Sequence, residues 1–105
     1  MSSKADWKLF KEKLPEWQEG YMNRLISQYA AVITSGKPAS DKFWELEKRI
    51  KKDKKHPGVM VELEKSEMLY ILRDLIKSKV IPLSTLDEFS NETKGLVYRL
   101  LGVDS

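Results

Sequence analysis

Cysteine is missing from this chain altogether, and histidine occurs once, at position 56. The first absence excludes disulfides, thiolate nucleophiles and cysteine-ligated zinc together, and it fits a reducing compartment. The second leaves imidazole chemistry without a recognisable partner, because a general base needs a nucleophile or acid held beside it. Any metal site would have to be all carboxylate. Glu62, Glu64 and Glu67 are close in sequence but lack the ligand spacing of a calcium loop. Long apolar runs are missing too. None exceeds five residues, as in Tyr29–Ile33 with its two alanines, far short of the roughly twenty needed to span a bilayer. No N-terminal stretch combines a basic start, an apolar run and a small-residue cleavage site. No glycine-rich phosphate loop and no paired serine with lysine or histidine is recognisable. These absences predict a cytoplasmic, non-enzymatic protein with no cofactor, no metal and no membrane span.

What is present is a helical pattern. The chain has 105 residues, 41% apolar and 33% charged, which predicts one domain over 1–105 with a core of its own. The longest amphipathic stretch is Pro15 to Ser35. Its apolar residues, Trp17, Tyr21, Met22, Leu25, Ile26, Tyr29, Val32 and Ile33, recur in steps of three and four. Pro15 suits a first helical position, Gly36 a left-handed stop, and Pro38 prevents continuation. Ahead of it, Asp6 is placed to cap a short helix from Trp7 to Leu14, which should end where Leu14 meets Pro15. The alternative is a single kinked helix. Residues Met1 to Ala5 are expected to fray.

Downstream, Ser40 is placed to cap a helix carrying Phe43, Trp44, Leu46 and Ile50, stopped by His56-Pro57-Gly58. Val59 to Leu63 looks extended but has no strand to pair with, so a connector or a helical turn into the next helix is expected, unless it pairs across a dimer. Ser66 and Glu67 open a helix with Met68, Leu69, Leu72, Leu75 and Ile76. Ser84 starts a single turn holding Leu86 and Phe89. Ser90 caps a last helix with Leu96, Val97, Leu100 and Leu101, closed by Gly102. The sum is an all-α fold, a compact bundle of five or six helices around the long helix at about residues 15–35.

Two surface features are candidates for function. Net charge is +3, yet Lys48, Arg49, Lys51, Lys52, Lys54 and Lys55 form one run in which Asp53 is the only acid. The rest of the chain holds 13 basic against 15 acidic residues. Such a run can contact phosphates of nucleic acid or an acidic partner. It also suits a solvated helix end, where lysines meet the negative pole of the helix and Glu45 and Glu47 can pair with Arg49 and Lys51. A single arginine among six cations argues for the solvated end. His56, beside this run, is expected to be an exposed loop histidine.

The second feature is aromatic. Trp7, Phe10, Trp17, Tyr21, Tyr29, Phe43 and Trp44 all lie in the first half. Helical spacing makes them core residues first, though they could also line a small-molecule pocket. Adjacent Phe43 and Trp44 cannot both point inward from one stripe. Trp7, Phe43 and Trp44 are therefore the candidate surface for a protein partner or a second copy, giving a self-associating interaction or regulatory module.

The segments WKLFKEKLPEWQEGYMNRL, KFWELEKRIKKDKKHPGV and LDEFSNETKGLV resemble small uncharacterised helical proteins of Gram-positive bacteria, some labelled "multidrug transporter". The resemblance implies a bacterial cytoplasmic protein and carries no catalytic residues. The transporter label conflicts with the absence of any segment able to cross a bilayer.

Overall fold

In the computed structural model, which describes residues 4–103, the first helix does not stop at proline. α1 runs unbroken from Lys4 to Ile33, thirty residues with Pro15 inside it. Proline removes one helical hydrogen bond and crowds the carbonyl four residues earlier, at a cost of about 3 kcal/mol. Two features offset this. Pro15 and Lys11 both face solvent, so the orphaned carbonyl is open to water. On the opposite side Phe10 and Leu14 precede the proline, and Trp17 follows it, all packed into one core. Burying side chains of this kind contributes about 1.5–3 kcal/mol each. The expected break at Leu14 is thus overridden by tertiary packing. Lys4 and Ala5 are helical rather than frayed, and Met1 to Ser3 lie outside the described residues.

The remaining elements are α2 (Ala39–Asp53), a 3-10 turn at Lys65–Glu67, α3 (Met68–Lys77), a 3-10 helix at Leu83–Glu88 and α4 (Asn91–Leu101). No strand occurs among the described residues, so the fold is all-α. Residues 60–64 form the extended connector the sequence suggests, leading into the 3-10 turn. None of the helices described is long and apolar enough to cross a membrane.

These elements form two bodies that share α1. The head packs Phe10 and Leu14 of α1 against Met68, Ile71, Leu72 and Leu75 of α3, with Ile81, Leu86, Phe89 and Val97 closing the core. The arm is the second half of α1 with α2 folded back along it. The principal extents are 52 × 25 × 17 Å and the radius of gyration is 16.6 Å, against about 13 Å for a globular chain of this length. The expected compact bundle is therefore not what forms. α1 reaches beyond the core it nucleates, and only α2 accompanies its far end.

Asp6 fastens the head. It is 4% exposed although it carries a carboxylate. It lies inside α1 rather than just ahead of it, and its carboxylate reaches the start of α4. The Ser90 backbone N–H donates to its Oδ1 at 3.0 Å. The hydroxyls of Ser90 and Thr93 each donate to its Oδ2 at 2.6 Å. Ser90 Oγ in turn accepts from the Thr93 N–H, the cap the sequence predicts. A carboxylate at this end also meets the positive pole of α4. Gly102 ends α4 with φ 73°, again as expected.

Other helix ends differ from expectation. α2 starts at Ala39 after Pro38, so Ser40 lies inside its first turn. Gly36 is not left-handed: among the described residues only Lys79 (φ 63°) and Gly102 are. The last carbonyls of α1 are satisfied by backbone and side-chain donors together, with the Thr34 N–H on the Ala30 carbonyl and the Ser35 N–H on the Val32 carbonyl. Ser35 Oγ donates to the Val32 carbonyl and Lys42 Nζ to the Ile33 carbonyl, both at 2.7 Å.

Replacing Asp6 with alanine strands two hydroxyls and an N–H, one hydroxyl fully buried. The expected loss is about 3 kcal/mol, with Asp6→Asn retaining part of it. Urea denaturation checks this as a shifted midpoint at unchanged slope.

Candidate interaction face on the helical arm

α2 has no buried residue. Side-chain bonds tie it to α1 and to the loop between the two helices. The Tyr29 hydroxyl donates to Asp53 Oδ2. Burial, and next the bond to that carboxylate, push the Tyr29 phenol up to about 12. Lys37 Nζ meets Glu45 Oε1 at 2.6 Å and Arg49 meets the other oxygen at 3.0 Å. Lys37 first and Arg49 second hold the Glu45 carboxyl below its ordinary range. The Glu45–Arg49 pair is one the sequence predicts.

The stripe on α1 is only half covered. Leu25 and Val32 are buried, whereas Ile26 is 61% and Ile33 55% exposed. On α2, Phe43 is 62%, Trp44 63% and Ile50 43% exposed. Between the helices lies an apolar groove of about 240 Å³, lined by Met22, Leu25, Ile26, Tyr29, Ile50 and Val59, with Asp53 and Lys54 at its rim. From Leu25 to Gly36 the chain carries no charge at all, in a protein one-third charged. A solvent-facing helix without charge over three turns resembles the depleted centre of an interface more than an ordinary surface.

The three residues proposed from sequence as one partner surface are not brought together. Trp7 is half-buried in the head, stacked on Phe10 with ring centroids 5.8 Å apart. Phe43 and Trp44 sit on the arm and pack edge to face on each other at 5.0 Å. The aromatic cluster is likewise divided. Trp7, Phe10 and Trp17 belong to the head, Tyr21 stacks on His56, and Tyr29 bonds Asp53. The groove itself was not legible as such, though the uncharged stretch around Ile26 and Ile33 was its visible signal.

The basic run is exposed throughout. Lys48, Arg49, Lys51 and Lys52 lie on α2, and Lys54 and Lys55 in the turn after it. Arg49 is paired with Glu45, while among the described residues the five lysines have no carboxylate partner. Helical spacing sets Lys48 and Lys51, four and seven residues on, on the same outward side as Trp44.

His56 is not the exposed loop residue expected. Its ring stacks on Tyr21 at 4.4 Å, 8° from parallel, and its Nδ1 accepts the Gly58 N–H at 2.9 Å. Gly58 lies so close to the Tyr21 ring that a Cβ there would fall 2.4 Å from Cδ2. Gln18 Nε2 donates to the Pro57 carbonyl at 3.1 Å, and Arg24 Nη2 to the Lys79 carbonyl at 2.7 Å. These bonds join arm to head. Burial chiefly pushes the His56 imidazole down, with Arg24 adding to this and Asp53 opposing it. Among the described residues no three of His, Cys, Asp and Glu gather as metal ligands would.

A scan against models of known protein families finds no match, and searches of curated proteins and of solved structures find none either. The site therefore has to be read from its own chemistry.

Because the folded His56 takes up a proton at lower pH than the unfolded one, the unfolded state binds more protons in that window. The stabilisation is complete above about pH 6.5 and declines as pH falls towards the depressed folded value. Thermal melts between neutral and mildly acidic pH should show this decline. His56→Phe, which keeps the stack on Tyr21 but gives up the Gly58 bond, should be about 1 kcal/mol less stable at neutral pH and show a shallower decline.

Proposed function

We propose that this chain is a non-catalytic helical interaction module of the bacterial cytoplasm that self-associates through the open face of its arm. The observation that carries the reading is surface. The chain exposes 7176 Å², whereas a folded monomer of 12.2 kDa exposes roughly 6,100 Å². The excess, about 1,100 Å², is comparable with the roughly 800 Å² that each partner covers in a standard interface. The arm contributes Ile26, Ile33, Phe43, Trp44 and Ile50 to the large apolar side chains left exposed, and Ile26 and Ile50 line one groove; Met60, Leu63 and Tyr70 are exposed outside the arm. The groups that chemistry would need are otherwise engaged: Asp6 caps α4, and His56 is a stacking partner and hydrogen-bond acceptor. Absence of cysteine suits a reducing cytoplasm.

Sedimentation equilibrium from about 1 to about 200 µM tests it. The mass should climb from 12.2 kDa towards twice that value. The double variant Ile26→Asp, Ile50→Asp should stay monomeric at every concentration with unchanged helicity, since both side chains are exposed. A wild-type monomer throughout overturns the reading.

A second reading rests on the five lysines of the basic run, of which Lys48 and Lys51 share a side of α2 with Trp44. They fit an anionic backbone with one aromatic contact. If four of them meet phosphates, log affinity for duplex DNA should fall with log salt at a slope of about −3 to −4. Lys48, Lys51, Lys52 and Lys55 changed together to Glu should abolish binding, and binding that survives this removes the reading.

A further inference from the structure

We infer that the occupant of the open face is a second copy of the arm, laid antiparallel to the first; the inference rests on the self-association reading and specifies its geometry. Three observations lead to it.

The first is register. Ile26 and Ile33 are seven residues apart on α1, and Phe43 and Ile50 seven apart on α2, so each pair recurs on one side after two turns. The bond from Lys42 to the Ile33 carbonyl sets the end of α1 beside the start of α2. The groove sets Ile26 beside Ile50. The hairpin thus presents four exposed apolar side chains as one layer. A two-helix layer with one apolar side open is half of a four-helix bundle, and a second hairpin completes it.

The second is the uncharged stretch from Leu25 to Gly36. It lets the α1 segments of two copies approach without burying an unpaired charge.

The third is the order of charge along α2, and it selects the partner and its direction. Asp41, Glu45 and Glu47, with Lys42, occupy the first half, and six cations from Lys48 to Lys55 occupy the second half and the turn beyond. Glu45 is already paired with Lys37 and Arg49, and Lys42 with the Ile33 carbonyl, which leaves Asp41 and Glu47 as the exposed acids of that half. Asp53, the acid among the six cations, is tied to Tyr29. A parallel pair would set the two cationic ends side by side. An antiparallel pair sets each cationic end against the acidic start of its neighbour. A surface that complements itself when turned end for end is what a two-fold interface requires.

The absence of cysteine makes the test clean. Ser40 at the start of α2 and Lys54 just past its end are both exposed. They are separated by about 21 Å of helix. Ser40→Cys and Lys54→Cys proteins are each treated with a short bifunctional thiol linker, alone and as an equal mixture. Antiparallel pairing predicts a covalent dimer in the mixture and little in either protein alone. Dimer in each protein alone, with none gained on mixing, means parallel pairing and overturns the inference. A dimer by sedimentation that links in no lane means another face is used. That result also overturns the geometry but leaves self-association standing. A monomer by sedimentation removes both. As an independent readout, dimer affinity should fall at least several-fold from about 0.05 to 0.5 M salt if opposite charges face each other, and rise if like charges do.

Discussion

The structure depends on α1 remaining one helix through Pro15. Its first half contributes Phe10 and Leu14 to a core with α3 and α4, and α2 packs along its second half. If the helix ended at the proline, the arm would have no fixed relation to the head and α2 would have no template. The continuity is held by side chains on either side of the proline that enter the same core, while the ring and the carbonyl it displaces lie towards water. Asp6, one turn ahead of Phe10, locks the start of that helix onto α4 with three hydrogen bonds.

From this follows the uneven distribution of burial. A helix of thirty residues is about 45 Å long, longer than the core of so small a chain is wide. The head uses its first four turns. Beyond them a single short helix covers one side, held by Tyr29–Asp53, by Lys42 on the Ile33 carbonyl and by the Lys37–Glu45 pair from the loop between the helices. Exposed ion pairs of this sort contribute little individually. The junction is firmer, because Gln18, Tyr21 and Arg24 each contact a segment outside α1. The arm is therefore fixed in direction and still incomplete in burial.

Much of this was written locally in the sequence, and the parts that were not are long-range. The Ser90 cap, the Gly102 stop, the α3 stripe and the cationic end of α2 rest on residues within a turn of each other, and each is found where its local chemistry puts it. Asp6 precedes an apolar run, which locally suits a cap, yet its bonds to Ser90 span 84 residues of sequence. Pro15 suits a boundary because proline's cost is local, while the packing that offsets it is tertiary. Ser40 and Gly36 had the right residue types, but Lys42 and Ser35 perform the capping. Sequence gave Phe43 and Trp44 as too many for one stripe, and both are exposed. It joined Trp7 to them because periodicity cannot say which end of a long helix enters the core. The open groove was hidden for the same reason: Ile26 and Ile33 sit on a stripe that looks buried, and only the absence of a third helix beside them leaves them uncovered.

The central claim is that the arm completes its burial on another copy of the chain. Amide hydrogen exchange at low and high protein concentration addresses it directly, segment by segment. The account predicts that residues 22–33 and 43–55 gain protection as concentration rises, while α3 and α4 exchange at the same rate at both. Equal protection of the arm at both concentrations, or a gain confined to the head, would contradict it.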